Sequence, residues 1–169
     1  MPIAPRITGT FLDEITHDIP SQNWSAKEWE REFALYQKIG IDTVIIIRAG
    51  YRNKCIFPAK TIPDLLPVYD DIGEIFYSLA DKYGLRVFFG TYDSGFHWIR
   101  RNWWKEVEIN KAFLEEAAKR YGHHESFAGW YLSQEAPCHN CTGFADVLVM
   151  WYPEAFRVVV LRMDRGYDS

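Results

Sequence analysis

No apolar run in this chain approaches the ~20 residues that a membrane-crossing helix needs, so a spanning role finds no support. Basic charge is also scarce. With 19 Lys and Arg against 23 Asp and Glu, the net charge is −4. That leaves no cationic footprint for nucleic acid or an anionic membrane surface. Cysteine is limited to Cys55, Cys138 and Cys141, an odd number that makes no disulfide framework and fixes no redox compartment. No GxGxxG follows the first strand-like segment and no GxxxxGK[ST] occurs, so the usual phosphate-cradling loops are missing. A GxSxG elbow is absent too, and no cysteine has an obvious histidine partner, which removes support for those nucleophilic hydrolases. The opening MPIAPRITG lacks a charged region followed by an apolar one. It is not a signal peptide: the protein is cytoplasmic or the sequence begins after a removed leader.

What is present suits one globular domain with a real core. The chain has 169 residues, of which 48% are hydrophobic and 25% charged. Aromatics are the surplus at 17%, seven of them Trp. Flat rings fill cores in most domains, and they can also stack on a ligand.

Three segments end alike, QKIG at 37–40, DKYG at 81–84 and KRYG at 119–122, each after a helical pattern and before an apolar run. The first helix opens at Ser25, with Glu28 placed to reach back in a capping box and Trp24 and Trp29 at the staple positions. Trp29, Phe33, Tyr36 and Ile39 then share a face, and Gly40 supplies a left-handed stop. The second helix carries Ile72, Ile75, Phe76, Leu79 and Tyr83 before Gly84. The third carries a thinner stripe of Val107, Leu114, Ala117 and Tyr121 before Gly122. Between them lie the strand candidates RITGTFL, DTVIIIR, RVFFGTY and FAGWYLS, and the unbroken TVIII suits a strand buried on both faces.

Alternating strands and helices predict a parallel α/β sheet, either doubly wound or part of a (β/α)8 TIM barrel. The strand ends favour the barrel. Asp13 and Glu14 follow the first strand, Arg48 and Tyr51 the second, Tyr92 and Asp93 the third, and Gln134 and Glu135 the fourth. Polar groups gathered at the C-terminal ends of successive strands are the raw material of a barrel active site.

The runs ITGTFLDEI…PSQNWSAKEW, TVIIIRAGY, GTYDSGFHW and FAGWYLSQE, in that order, resemble a bacterial domain-of-unknown-function family, number 4434, over about residues 6–136. That family is regarded as glycoside-hydrolase-like and TIM-barrel in fold. The resemblance implies a carbohydrate-active enzyme related to the clan A retaining glycosidases, acting on an oligo- or polysaccharide, secreted or at the cell envelope. No cofactor is expected. Enzymes of that clan keep their acid/base glutamate after strand four, often as Asn-Glu-Pro. The matching residues are Gln134-Glu135-Ala136-Pro137, with Gln for Asn and an inserted Ala as departures.

Glycoside hydrolysis needs two carboxyl groups flanking the scissile bond. Glu135 is the candidate acid, and apolar neighbours such as Trp130 and Tyr131 would raise its pKa. Asp13 and Glu14 could accept hydrogen bonds from sugar hydroxyls, or cap a turn and pair with Arg48. Arg48, directly after TVIII, needs a carboxylate partner in any case. Tyr51 and Gln134 stand with them at the strand ends. Tyr92 and Asp93 divide between ligand contact and loop hydrogen bonding. Trp98 could stack on a sugar face, whereas Trp103 suits helix packing. A metal site is not expected: Cys138 and Cys141 form one CxxC without a second pair, near His123, His124 and His139. The alternative to an enzyme is a non-catalytic carbohydrate-binding or interaction module that uses the same strand-end groups.

A complete barrel takes at least ~200 residues. Residues 1–137 therefore read as the N-terminal half of a barrel and 138–169 as an atypical tail. In that tail Phe144, Val147, Leu148 and Trp151 could face a short helix, and RVVVL could be a fifth strand. The expectation is a truncated or frame-altered product, inactive alone, whose open barrel edge invites self-association. The clan's nucleophile follows strand seven, which the chain does not reach.

Overall fold

A computed structural model of the chain describes residues 6–134 and the backbone of Val158 and Val159. The elements run β1 (Gly9–Leu12), a 3-10 turn (Pro20–Asn23), α1 (Ala26–Ile39), β2 (Thr43–Ile46), β3 (Gly50–Tyr51) and β4 (Lys54–Cys55). They continue as α2 (Ile72–Tyr83), β5 (Arg86–Gly90), β6 (Tyr92–Asp93), α3 (Trp103–Tyr121), β7 (Phe127–Tyr131) and β8 (Val158–Val159). The main sheet has the order β1-β2-β5-β7-β8, parallel throughout.

That order decides the architecture. The chain steps to the next position each time, and parallel crossovers are right-handed, so every connecting helix falls on the same face of the sheet. A doubly wound sheet reverses direction to cover both faces. Here α1 lies beside α2 and α2 beside α3, as in a barrel wall. The fold is a partial (β/α)8 barrel, and among the described residues the sheet does not close. β3, β4 and β6 form a small second sheet in the order β4-β3-β6, just past the ends of β2 and β5. Val158–Val159, inside RVVVL, pairs parallel to β7 as the fifth strand. The helix expected over Phe144–Trp151 and the boundary at 137 lie outside the described residues.

The helix side of the sheet holds an aromatic core. Phe89 packs on Tyr77 of α2 and on Phe113 and Tyr121 of α3, with Trp130 edge-on at 5.8 Å. Trp29 and Phe33 of α1 meet Phe76 of α2. The aromatic surplus therefore fills the core in the main. At the start of α1, the Ser25 backbone N–H donates to Glu28 Oε2 at 2.7 Å, and Trp24 packs on Trp29 at 4.9 Å. The capping box and the staple both form.

A β-bulge sets the register of β7. Phe127 pairs with Val87, but Gly129 pairs with Phe88, so Ala128 is the extra residue. Gly129 has φ 136°, a conformation that L side chains rarely adopt, and this lets Trp130 turn into the core.

Two expectations are corrected, and two further features were not foreseen. TVIII is not buried on both faces: Val44 and Ile46 are buried, whereas Thr43 and Ile45 are only partly covered. Ile45 aligns with Phe11 and Phe88 on the inward face, which no described element covers. Ile39 is 58% exposed, because the α1 stripe rotates off the sheet by its last turn. Gly122 is right-handed at φ −64°, unlike Gly40 and Gly84 at 85° and 67°. Tyr77, missed by the periodicity, is fully buried.

Phe89→Ala should lower stability in urea unfolding by about 3–5 kcal/mol, as for a large buried aromatic. Ile39→Ala should stay within about 0.5 kcal/mol.

Candidate functional site

The short strands end close together, and their trailing residues form two adjoining clusters. In the first, Arg48 follows β2 and bridges two walls. Its Nη1 lies 3.6 Å from Asp13 Oδ2 after β1, and its Nε lies 3.4 Å from Asp93 Oδ2 in β6. Nη1 also donates to Thr16 Oγ1 at 3.1 Å. Neither carboxylate is loose. Asp13 Oδ1 accepts from the Thr16 N–H at 3.0 Å, and Asp93 Oδ1 accepts from the Gly95 N–H at 2.7 Å. All three side chains keep 13–19% exposure, so the cluster faces solvent with one net negative charge. Asp13 thus both caps its turn and pairs with Arg48. The guanidinium also lies 5.7 Å from the Tyr51 ring, which Arg52 approaches from its own side at 5.1 Å.

Glu14 points elsewhere. It is buried and accepts the Ser21 hydroxyl hydrogen bond at 2.8 Å. Burial holds its pKa above the usual carboxylate value, the Ser21 bond partly offsets this, and the Asp13 charge adds to it. Glu14 begins an open cleft of about 240 Å³ lined also by Gln22, Lys54, Cys55 and Leu66, beside the Arg48 cluster rather than over it. Burial pushes the Cys55 thiol up to about 12, so it is no nucleophile.

The second cluster is buried, and little in the residue pattern announces it. Beyond the ends of β5 and β7 the backbone ladder stops, and side chains take over its hydrogen bonds. Asn110 of α3 accepts from the Tyr92 N–H and donates to the Tyr92 carbonyl, both at 2.8 Å. Gln134 donates to the same carbonyl at 2.8 Å and to Glu106 Oε1 at 3.3 Å, and accepts from Thr91 Oγ1 at 3.1 Å. Thr91 and Ser133 join side chains at 2.6 Å. Glu106, wholly buried, accepts from the Ser94 N–H at 2.9 Å and the Ser94 hydroxyl at 2.5 Å. Glu106 and Asn110 stand one helical turn apart, the spacing that puts two polar groups on one helix face. That pairing inside an apolar stripe was the available signal.

The expected site residues therefore divide. Asp13, Arg48, Asp93 and Tyr51 come together at the open strand ends. Tyr92 does not sit at the rim. Its ring packs on Phe113, its hydroxyl donates to the Arg52 carbonyl at 2.7 Å, and burial pushes its pKa up to about 12. Gln134 is likewise enclosed. Trp98 is partly exposed and packs with Trp103 and Leu132 around Val107. Glu135, Cys138 and Cys141 lie outside the described residues. Among the described residues, no group of three or more His, Cys, Asp or Glu could hold a metal ion, and no helix is long and apolar enough to cross a membrane.

A family model described as "Domain of unknown function (DUF4434)" matches residues 7–159. No curated protein matches the chain. Among solved structures, a "putative alpha-L-fucosidase" from Bacteroides thetaiotaomicron VPI-5482 superposes with a TM-score of 0.70 at 45% identity, over 76% of this chain and 41% of that one. A GH29 α-L-fucosidase from Bacteroides thetaiotaomicron gives 0.45 at 19% identity, over 67% and 27%. α-L-Fucosidase isoenzyme 2 from Paenibacillus thiaminolyticus gives 0.47 at 16%, over 78% and 24%. This chain thus spans well under half the length of each.

Glu14 generates a pH prediction. Its folded-state pKa is raised above the usual 4.5, so the folded chain binds more protons than the unfolded one just above that pH. Stability should therefore fall as pH rises through this window. Glu14→Gln keeps an acceptor for Ser21 and should remove that fall. Urea midpoints from pH 4 to 7 should show the variant gaining on the wild type as pH rises.

Proposed function

The chain belongs to the DUF4434 family, and from that premise we propose that it carries the acid end of a glycoside hydrolase site. In this reading Glu135 protonates the glycosidic oxygen as the leaving group departs. The observation that carries it is Gln134. The residue immediately before Glu135 is buried at the end of the fourth strand, with its amide bonded to Tyr92, Thr91 and Glu106. A side chain tied on three sides fixes the point from which the chain enters Glu135. The likeness to the Bacteroides protein described as a "putative alpha-L-fucosidase", at 45% identity, makes α-L-fucosides the first substrates to try.

Asp13, Asp93 and Arg48 bind sugar hydroxyls in this scheme, with the Tyr51 ring and Trp98 as stacking surfaces. Tyr92 and Gln134 support the site from beneath. The second catalytic carboxyl comes from outside the described residues, since Asp13 and Asp93 are engaged by Arg48 and Glu14 by Ser21. That same engagement favours a second reading, a carbohydrate-binding module that holds sugar without cleaving it.

Hydrolysis and binding should be measured together on aryl glycosides and oligosaccharides, α-L-fucosides included, for wild type and Glu135→Gln. The expected outcome is turnover that falls at least about 1,000-fold in the variant while binding persists. Binding with no turnover in the wild type would establish the module instead. Because β1 is an edge strand among the described residues, with Phe11 and the preceding Ile7 exposed, we also expect concentration-dependent self-association. A strictly monomeric mass by light scattering across a hundredfold range of concentration would contradict it.

A further inference from the structure

Glu106 is the most deeply buried carboxylate described in the chain, 0% exposed, and its hydrogen-bond partners are neutral donors. Enclosing a carboxylate is costly, and hydrogen bonds from neutral donors only partly offset the loss of water. A leucine of similar volume would fill the space more cheaply. What a leucine could not do is hold two separate pieces of chain at once.

Those pieces are the loop after the third barrel strand and the end of the fourth. Glu106 Oε1 accepts from the Ser94 N–H at 2.9 Å and from Gln134 Nε2 at 3.3 Å, while Oε2 accepts the Ser94 hydroxyl at 2.5 Å. Ser94 adjoins Asp93, which pairs with Arg48. Gln134 adjoins Glu135. The carboxylate lies in the first turn of α3, where unpaired backbone N–H groups favour negative charge. Asn110, a turn later, donates to the Glu106 carbonyl at 3.0 Å and clamps Tyr92 on both backbone groups, so the anchor is itself anchored.

We propose that Glu106 is a positioning residue, a clamp through which the loop carrying Asp93 and the strand end carrying Gln134 keep a fixed relation. Resting on the glycosidase reading, it keeps the cluster around Arg48 in a fixed relation to Gln134, the residue that precedes Glu135 in sequence. Both hydrogens of the Gln134 amide are engaged, one by Tyr92 and one by Glu106. Releasing the second leaves the amide free to turn about the first.

The test compares Glu106→Gln with Glu116→Gln. Both residues are carboxylates on α3, but Glu116 holds the backbone of Lys60 and Thr61, away from this site. A glutamine at 106 turns its NH2 either toward the Ser94 N–H and Gln134, breaking both of those bonds, or toward the Ser94 hydroxyl, which can accept it; in both cases Gln134 loses the charged oxygen it donates to, at nearly constant volume. In the 15N spectrum, the Gln134 side-chain amide pair, identified by its loss in Gln134→Leu, should shift in Glu106→Gln and stay put in Glu116→Gln. Where wild type hydrolyses a glycoside, kcat should drop by about 100-fold in Glu106→Gln with KM nearly constant, as for a small misplacement of a catalytic group. Gln134 signals unmoved in a folded Glu106→Gln, or moved equally in both variants, would overturn the clamp. If wild type cleaves nothing, the glycosidase reading fails and the spectra still decide the clamp. If Glu106→Gln does not fold, the coupling is read from the other end. Gln134→Leu should speed hydrogen exchange at the Ser94 amide by about tenfold, and an unchanged rate would overturn the proposal.

Discussion

Buried backbone groups must find partners, and at the C-terminal ends of this sheet they outnumber the strands available to supply them. β5 stops at Gly90 and β7 at Tyr131, while the chain remains enclosed for several residues more. One ladder bond survives, from the Thr91 N–H to the Tyr131 carbonyl at 2.9 Å. After that, Asn110 acts as a substitute strand for Tyr92, and Gln134 takes the other lone pair of the same carbonyl. These amides hold three segments in place at once. Remove them and Tyr92, Ser94 and residue 134 would each need water inside the fold. The position of the site is therefore a consequence of backbone satisfaction before it is a matter of charge.

Charge then separates the carboxylates by environment. Asp13 and Asp93 share one guanidinium and keep contact with solvent, so they remain acceptors for whatever approaches the strand ends. Glu14 sits in a drier place with one hydroxyl donor, and burial raises its pKa. Glu106 is enclosed entirely and serves the chain itself. Three environments within a few residues of the strand ends give chemically similar groups different surroundings, which is how one set of loops holds solvent-facing and enclosed carboxylates side by side.

The architecture was legible from periodicity and end signals because these are local. Ser25 with Glu28, Gly40 and Gly84 each settle a helix end within a turn, and four strand-like runs separated by helices leave few topologies. The partnership of Arg48 with strand-end carboxylates also followed from elementary cost, since a guanidinium just past an apolar strand cannot stay unpaired. Less legible was anything that depends on rotation or on distant neighbours. Ile39 keeps the helical spacing yet turns to solvent, and Tyr77 breaks the spacing yet is enclosed by Phe89, Tyr121 and Phe127 from three other elements. Tyr92 looked like a rim residue by its place after a strand. Only the Asn110 clamp, eighteen residues on, turns it inward.

The two faces of the sheet carry unequal shares of the structure. On the helix side, aromatic rings from α1, α2, α3, β5 and β7 interlock. On the inner side, Phe11, Ile45 and Phe88 align across three strands with no described element over them. One might expect a site at the strand ends to need the missing enclosure. The hydrogen bonds argue otherwise. Arg48, Asp13 and Asp93 are tied by the loops after β1, β2 and β5, while Gln134 and Glu106 are tied by α3 and the end of β7. Among the described residues, no bond in either cluster calls on a strand beyond β7. Within the described residues, the first four strands and their helices already hold this arrangement, so a further strand would add to a frame that is set rather than create it.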